Sequence, residues 1–227
     1  MKTIIGVIML LLMTSWSCAN DIYVTQSGNA LDLDITQDGE NNTVGNSTTA
    51  SASAGVTTIL NIDQIGDSNV ITYQIAGATY TGVINLVGNS NNVDLNCDST
   101  GGNSSCGTAN AVINFTGSSN DIDLDIGQTS SANTADVDIV GQSGSDSNVV
   151  AATVDGNSAV LTITVNGDTN NYLIDIDGNG DSVGHTLIHS HTGGIADVDI
   201  IQSGTNDNMI TLTTSGDNAD IDISQTD

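Results

Sequence analysis

The aspartates are the side chains of this sequence that could do chemistry, because they recur at every second position in short runs. Carboxylate oxygens suit Ca²⁺, and paired carboxylates also serve glycoside hydrolysis. These runs repeat along the chain instead of converging on one place, so they indicate a shared outer face, either solvated or cation-binding, and not a catalytic cleft. The candidate cation ligands are Asp121, Asp123, Asp125, Asp177 and Asp181. Residues 177–183 resemble a single calcium-binding nonapeptide of β-rolls, and a turn is the favoured interpretation because the copy stands alone.

Three histidines form the second candidate cluster, within the string GHTLIHSHTGG that begins at Gly184. His189 and His191 have the spacing of one strand face and could bind a transition metal. We favour an irregular surface loop instead, because no second strand is expected to supply a partner.

Charge excludes several function classes. The chain has one basic residue, Lys2, against 27 acidic residues, and its formal net charge is −26. A polyanion of this kind does not bind nucleic acid or anionic membranes, and it offers no lysine or arginine for covalent catalysis or for holding phosphate. We also find no nucleophile elbow or catalytic triad pattern. We therefore expect a protein that is not an enzyme.

The N-terminus predicts export. Lys2 precedes an apolar run from Ile4 to Met13, and small residues follow at Ser17 and Ala19, so residues 1–19 are interpreted as a secretory signal peptide. The run is too short to span a membrane. In an oxidising compartment the remaining cysteines, Cys97 and Cys106, are expected to form a disulfide.

The elements that position these residues are short strands in lines of about 11 residues, each closed by a turn rich in Gly, Asn, Asp and Ser. In NALDLDITQDG, Leu31, Leu33 and Ile35 share one face, while Asp32 and Asp34 share the other. Two lines make one rung, and stacked rungs bury the apolar faces. Residues 20–227 are therefore predicted to form one all-β domain, a β-solenoid. We expect insertions at Gly45 to Gly55, Asp98 to Gly107, Ser130 to Asn133 and His185 to Gly194.

Glutamine recurs at strand ends, with asparagine five positions later from Gln37 to Asn42 and from Gln64 to Asn69. This spacing resembles the repeat of the curlin family of secreted fibre subunits. The resemblance implies inward amides stacked in ladders, which satisfy one another's hydrogen bonds. The predicted ladder residues are Gln26, Gln37, Asn42, Gln64, Asn69, Gln128, Asn133, Gln142, Gln202 and Gln225.

The resemblance implies a secreted structural protein, a subunit or nucleator of extracellular filaments or biofilm matrix, which associates with itself through its terminal rungs and contacts other fibre subunits or a cell surface. No cofactor is expected, with Ca²⁺ as the one candidate. Stacked aspartates would repel, so salt, Ca²⁺ or mild acid should stabilise the fold or its assembly. The alternative is a calcium-binding or ice-binding solenoid module of an adhesin or virion appendage, for which Thr162, Thr164, Thr211 and Thr213 supply threonine pairs.

Overall fold

The computed structural model describes residues 21–27, 30–39, 42–45, 51–66, 68–97, 106–127, 134–156, 158–177, 185–204 and 208–226. The predicted signal peptide lies outside these ranges. The described chain consists of strands and turns, without a helix. The strands are β1 (Asp21–Ile22), β2 (Thr25–Ser27), β3 (Ala30–Asp38), β4 (Thr43–Val44), β5 (Ser51–Ile65), β6 (Val70–Val87), β7 (Asn92–Cys97), β8 (Thr108–Thr116), β9 (Asp121–Ile126), β10 (Thr134–Gly141), β11 (Val149–Asp155), β12 (Ser158–Asn166), β13 (Asn170–Asp177), β14 (Thr186–Thr192), β15 (Ile195–Ser203), β16 (Met209–Ser215) and β17 (Asn218–Thr226).

The strands stack in parallel into two sheets that face each other. The first sheet contains β1, β2, β4, the first parts of β5 and β6, and then β7, β9, β11, β13, β15 and β17. The second contains β3, the later parts of β5 and β6, and then β8, β10, β12, β14 and β16. Because the chain alternates between the sheets, one strand from each makes a coil. This is the predicted β-solenoid of two-strand rungs.

The shortest coils have the predicted length of two lines. Asn69 and Asn91 occupy equivalent positions 22 residues apart. Coils with predicted insertions are longer, with a spacing of 27 residues from Asn42 to Asn69 and of 29 from Asn91 to Asn120. The insertion predicted at His185 to Gly194 is wrong: β14 in this segment pairs residue by residue with β12 and β16.

The core lies between the two sheets and is built from stacked columns of inward side chains. One column of the second sheet contains the buried residues Ile35, Ile62, Ile84, Ile113, Ile139 and Ile163. Burying one isoleucine side chain stabilises a fold by roughly 1.5–3 kcal/mol, and β-branched side chains fit the pleat well. In the next column a Cβ at Gly141 would come 2.7 Å from Cζ of Phe115, so the glycine leaves room for that ring. The alternation of apolar residues in the sequence thus produces a buried core between the two sheets.

The predicted cysteine pair is joined. A disulfide links Cys97, at the end of β7, to Cys106, just before β8, with Cα atoms 5.7 Å apart. Both residues are fully buried. The bond therefore closes the insertion predicted at Asp98 to Gly107 at its base.

Candidate functional site

A ladder of buried asparagines runs along one corner of the solenoid. From Asn42 to Asn148, the backbone N–H of each donates to Oδ1 of the asparagine in the next coil, over 2.8 to 3.1 Å. Several also donate from Nδ2 to the carbonyl of a glycine three residues earlier, such as Gly66 for Asn69. Most of these amides thus close their own turn or bond to the next amide, which matters because an unpaired buried polar group costs about 1–3 kcal/mol; Nδ2 of Asn91 is the exception and has no partner among the described residues. The ladder comprises Asn42, Asn69, Asn91, Asn120, Asn148 and Asn170.

The glutamine-to-asparagine spacing pointed to Asn42 and Asn69 but missed most of this ladder. The better signal is a turn of the form Gly-x-Ser/Thr-Asn, as in residues 66–69, 88–91, 117–120 and 167–170. Its third residue adopts a left-handed conformation, with φ of 64° at Ser68 and 60° at Thr169, and this turns the following asparagine inward. The ladder residues that sequence reasoning missed are Asn91, Asn120, Asn148 and Asn170.

Among the residues that the structure describes, glutamines pair only near the two ends of the solenoid. Nε2 of Gln64 donates to Oε1 of Gln37 over 2.6 Å, and Nε2 of Gln225 donates to Oε1 of Gln202 over 3.1 Å. In the coils between them, apolar residues fill most of the equivalent positions. Gln142 is exposed at a turn, so its predicted ladder role is wrong. Gln128 and Asn133 lie outside the described residues, as does the side chain of Gln26.

Most predicted carboxylates face outward, but they do not form continuous ladders. An asparagine often occupies the neighbouring coil, and Nδ2 of Asn61 donates to Asp34 over 2.8 Å. Nδ2 of Asn85 likewise donates to Asp63. These amides separate charges that would otherwise repel. Within the described strands, direct aspartate stacking is confined to the first sheet, at the pairs Asp94–Asp123, Asp155–Asp177, Asp197–Asp220 and Asp199–Asp222.

Carboxylates of the first sheet are shifted in pKa where they crowd together. Burial, followed by repulsion from Asp177, Asp175 and Asp125, raises the pKa of Asp155 to about 6. Burial and then the charge of Asp177 raise the pKa of Asp175. Burial, with Asp94 and Asp121, likewise raises the pKa of Asp123. These shifts show that ionisation of the crowded carboxylates opposes folding.

The predicted cation ligands are not brought together. In the part of the chain that the structure describes, no three His, Cys, Asp or Glu side chains are placed to hold a metal ion. Asp121, Asp123 and Asp125 follow one another along the outside of β9, and Asp181 lies outside the described residues. The carboxylates therefore form a charged surface instead of a closed coordination site.

The histidines are not in a surface loop, which corrects the interpretation we favoured. His185 and His189 are fully buried and His191 is 2% exposed, because all three point inward from or just before β14. The partner of His189 and His191 comes from the facing sheet: the Tyr172 hydroxyl lies 2.9 Å from His191 Nδ1, and its ring centroid lies 4.4 Å from that of His189. The signal that we missed is that all three histidines share strand parity with the buried Leu187.

The C-terminal end of the solenoid is uncovered. In β15, Val198 and Ile200 are buried, but their partners in β17, Ile221 and Ile223, are 38% and 48% exposed. Among the described strands, β17 pairs with β15 alone. This edge therefore offers both an apolar inner face and unpaired backbone groups, the feature that promotes strand addition.

Comparisons with protein-family models, with curated proteins and with solved structures find no match for this chain. None of the described segments forms a helix long and apolar enough to cross a membrane. The uncovered C-terminal edge is therefore the strongest candidate for a binding site among the features described.

Proposed function

We propose that this chain is a secreted, non-catalytic structural protein whose copies stack end to end into extracellular filaments, as the resemblance to curlins implies. The observation that supports the proposal best is the uncovered β17. The exposed inner side of β17 presents the same kind of side chains that the preceding coils bury against one another. Another coil is therefore the partner that this edge can bind. Secretion is supported by the sequence of residues 1–19.

The register columns indicate how the second copy would sit. The column that ends at Ile221 begins at Ile22, through a continuous series of paired residues. Gln26 and Gln225 each follow the isoleucine of that column by four residues, so the same register would place Gln26 beside Gln225. A second copy placing β1 and β2 on β17 in the same register would set isoleucine on isoleucine and glutamine on glutamine. The stack would thus extend an apolar column and an amide ladder across the junction.

Charge opposes this contact and should regulate it. Asp220 and Asp222 lie on the outside of β17, and residues 20–227 contain all 27 acidic residues and no lysine or arginine. Long-range repulsion between copies is screened within about 10 Å at 0.1 M salt. Filaments should therefore elongate faster in high salt than in low salt.

The test compares two isoleucines of similar exposure that face opposite ways. Ile223 faces the inside of the end coil, whereas Ile201, 47% exposed, faces outward from β15. In residues 20–227 we expect Ile223→Asp to slow elongation at least tenfold, because it places a charge in the junction, and Ile201→Asp to change it little. Thioflavin T fluorescence and electron microscopy measure elongation, and circular dichroism checks the fold.

Equal elongation of the two variants would exclude β17 as the growing end. A wild-type chain that stays monomeric at every salt concentration and pH would contradict the filament proposal itself. If that monomer also gained thermal stability with Ca²⁺, the cation-binding alternative would replace it.

A further inference from the structure

The two sheets differ sharply in charge over the C-terminal half of the solenoid. The second-sheet strands β12, β14 and β16 contain no aspartate or glutamate. The first-sheet strands of the same coils present Asp175, Asp177, Asp197, Asp199, Asp220 and Asp222 on their outer surface. In so acidic a chain, three successive strands without a charge are a surface of distinct character.

The outward side chains of β12, β14 and β16 define what we call the neutral face. Parallel pairing aligns them in ranks: Thr162 with Ile188 and Thr211 in one, and Thr164 with Ser190 in the next, which continues to Thr213. These side chains are small or branched, and Ile188 is 39% exposed. Such ranks of short side chains on a regular sheet can interdigitate with a matching sheet.

We propose that the neutral face is a lateral docking surface for the same face of a second copy, so that filaments associate side by side. The inference rests on the filaments proposed above. The contact is isologous, with each copy contributing β12, β14 and β16. The acidic first sheets then point outward, away from the contact.

Charge favours contact between two copies through the neutral face over contact through the first sheet. Two carboxylates about 5 Å apart repel each other even in bulk water, and apposing first sheets would bring many such pairs together. The crowded carboxylates of the first sheet already oppose ionisation within one copy, as the raised pKa of Asp155 shows. The neutral face adds no such pair.

The size of the face predicts when pairing occurs. Three strands at ~4.8 Å spacing, with seven to nine residues at ~3.3 Å each, cover roughly 350 Å² per copy. A stable interface buries about 800 Å² per partner, so isolated copies should remain unpaired. A filament repeats the face in each subunit, and the contacts then act together.

The experiment places one new carboxylate on either side of the solenoid. Thr164→Asp puts it on the neutral face, and Asn171→Asp puts it on the first sheet; both residues are exposed. Electron microscopy at moderate salt would count paired and single filaments. We expect wild-type and Asn171→Asp filaments to pair, and Thr164→Asp to lower the paired fraction at least tenfold while elongation is unchanged. Thr164→Ser should pair as the wild type does.

Other outcomes overturn the inference separately from the proposed function. Filaments that stay single in the wild type, or that pair equally well with Thr164→Asp, would contradict lateral docking while leaving end-to-end stacking intact. Single wild-type filaments together with thermal hysteresis of ice growth would assign the ranked hydroxyls to ordered water instead. Absence of filaments in every condition would overturn both proposals.

Discussion

One interior column contains both isoleucines and a histidine, and the difference between these side chains shows what makes part of this solenoid sensitive to pH. The isoleucine column of the second sheet reaches Ile163 and then continues to His189 and Leu212. The isoleucines are neutral at any pH. His189 is fully buried, and both its ring nitrogens lack a hydrogen-bond partner. Burial, and then the neighbouring His191, lower the pKa of His189 to about 4. One backbone position therefore accepts either side chain, but only the histidine links folding to protons.

The surroundings of His189 explain how the fold tolerates it. Tyr172 from the facing sheet presents its ring edge-on to the imidazole, and its hydroxyl is hydrogen-bonded to His191. Burial raises the pKa of Tyr172, which keeps the hydroxyl protonated. The charged groups of the adjoining strands point outward; the nearest influence is Asp168 in a turn, which partly offsets the burial that lowers the pKa of His191. The histidine coil is thus a small aromatic cluster inside an aliphatic column.

Moving a histidine into the aliphatic part should have the largest effect. Ile139→His removes a fully buried side chain between Ile113 and Ile163 and introduces ring nitrogens among aliphatic neighbours. We expect a loss of about 3–5 kcal/mol in the free energy of unfolding at pH 7, with a further loss in acid. Urea unfolding at pH 7 and pH 4.5 measures both. Ile139→Val is the control, at about 1 kcal/mol, and an equal loss in the two variants would show that any column position tolerates an imidazole.

The reverse change should remove an acid-sensitive step. His189 has a pKa of about 4 in the folded chain and of about 6.5 in the unfolded chain. The folding stability that depends on its neutral form is therefore fully present above about pH 6.5 and is lost as the pH falls to about 4. The loss amounts to about 3 kcal/mol. His189→Ile should abolish that dependence and raise stability at pH 7, as followed by urea unfolding from pH 7 to 4. Ile188→Thr on the outside of β14 should keep the wild-type slope, and a slope that survives in His189→Ile would locate the titration elsewhere.

The coil architecture could be predicted because alternation and turn glycines are local features. Leu31, Leu33 and Ile35 share one face in any strand, whatever its neighbours are. The glutamine ladders were only partly predictable, since ladder formation needs two glutamines in adjacent coils. Gln37 has Gln64 beside it, whereas Gln142 falls on a turn and is exposed.

The histidines and the aspartate contacts depend on register between coils, and register depends on insertion lengths. The polar residues around His189 suggested a loop. The histidines nevertheless alternate with Thr186, Ile188 and Ser190, and this alternation is typical of a strand. Which aspartate stacks on which partner changes with every insertion: Asp155 meets Asp177, but Asp34 meets Asn61. Sequence alone could therefore identify an acidic surface but not its points of greatest repulsion.

The smallest expected effect has the opposite sign to that of His189, and this makes it diagnostic. Asp155 has a pKa of about 6 in the folded chain and of about 3.9 in the unfolded chain. The folding stability that its protonated form supplies is therefore fully present below about pH 3.9 and is lost as the pH rises through about 6. The carboxyl is partly exposed, and after discounting for solvent screening we expect Asp155→Asn to stabilise the fold by about 1 kcal/mol at pH 7 and to remove this dependence. Because the windows of Asp155 and His189 overlap between pH 4 and 6, their slopes partly cancel in the wild type. Urea unfolding across this range should therefore show that acid stabilises His189→Ile and that acid destabilises Asp155→Asn more steeply than the wild type. Parallel stability curves for the two variants would contradict the assignment of opposite pH effects to the acidic surface and to the buried histidine.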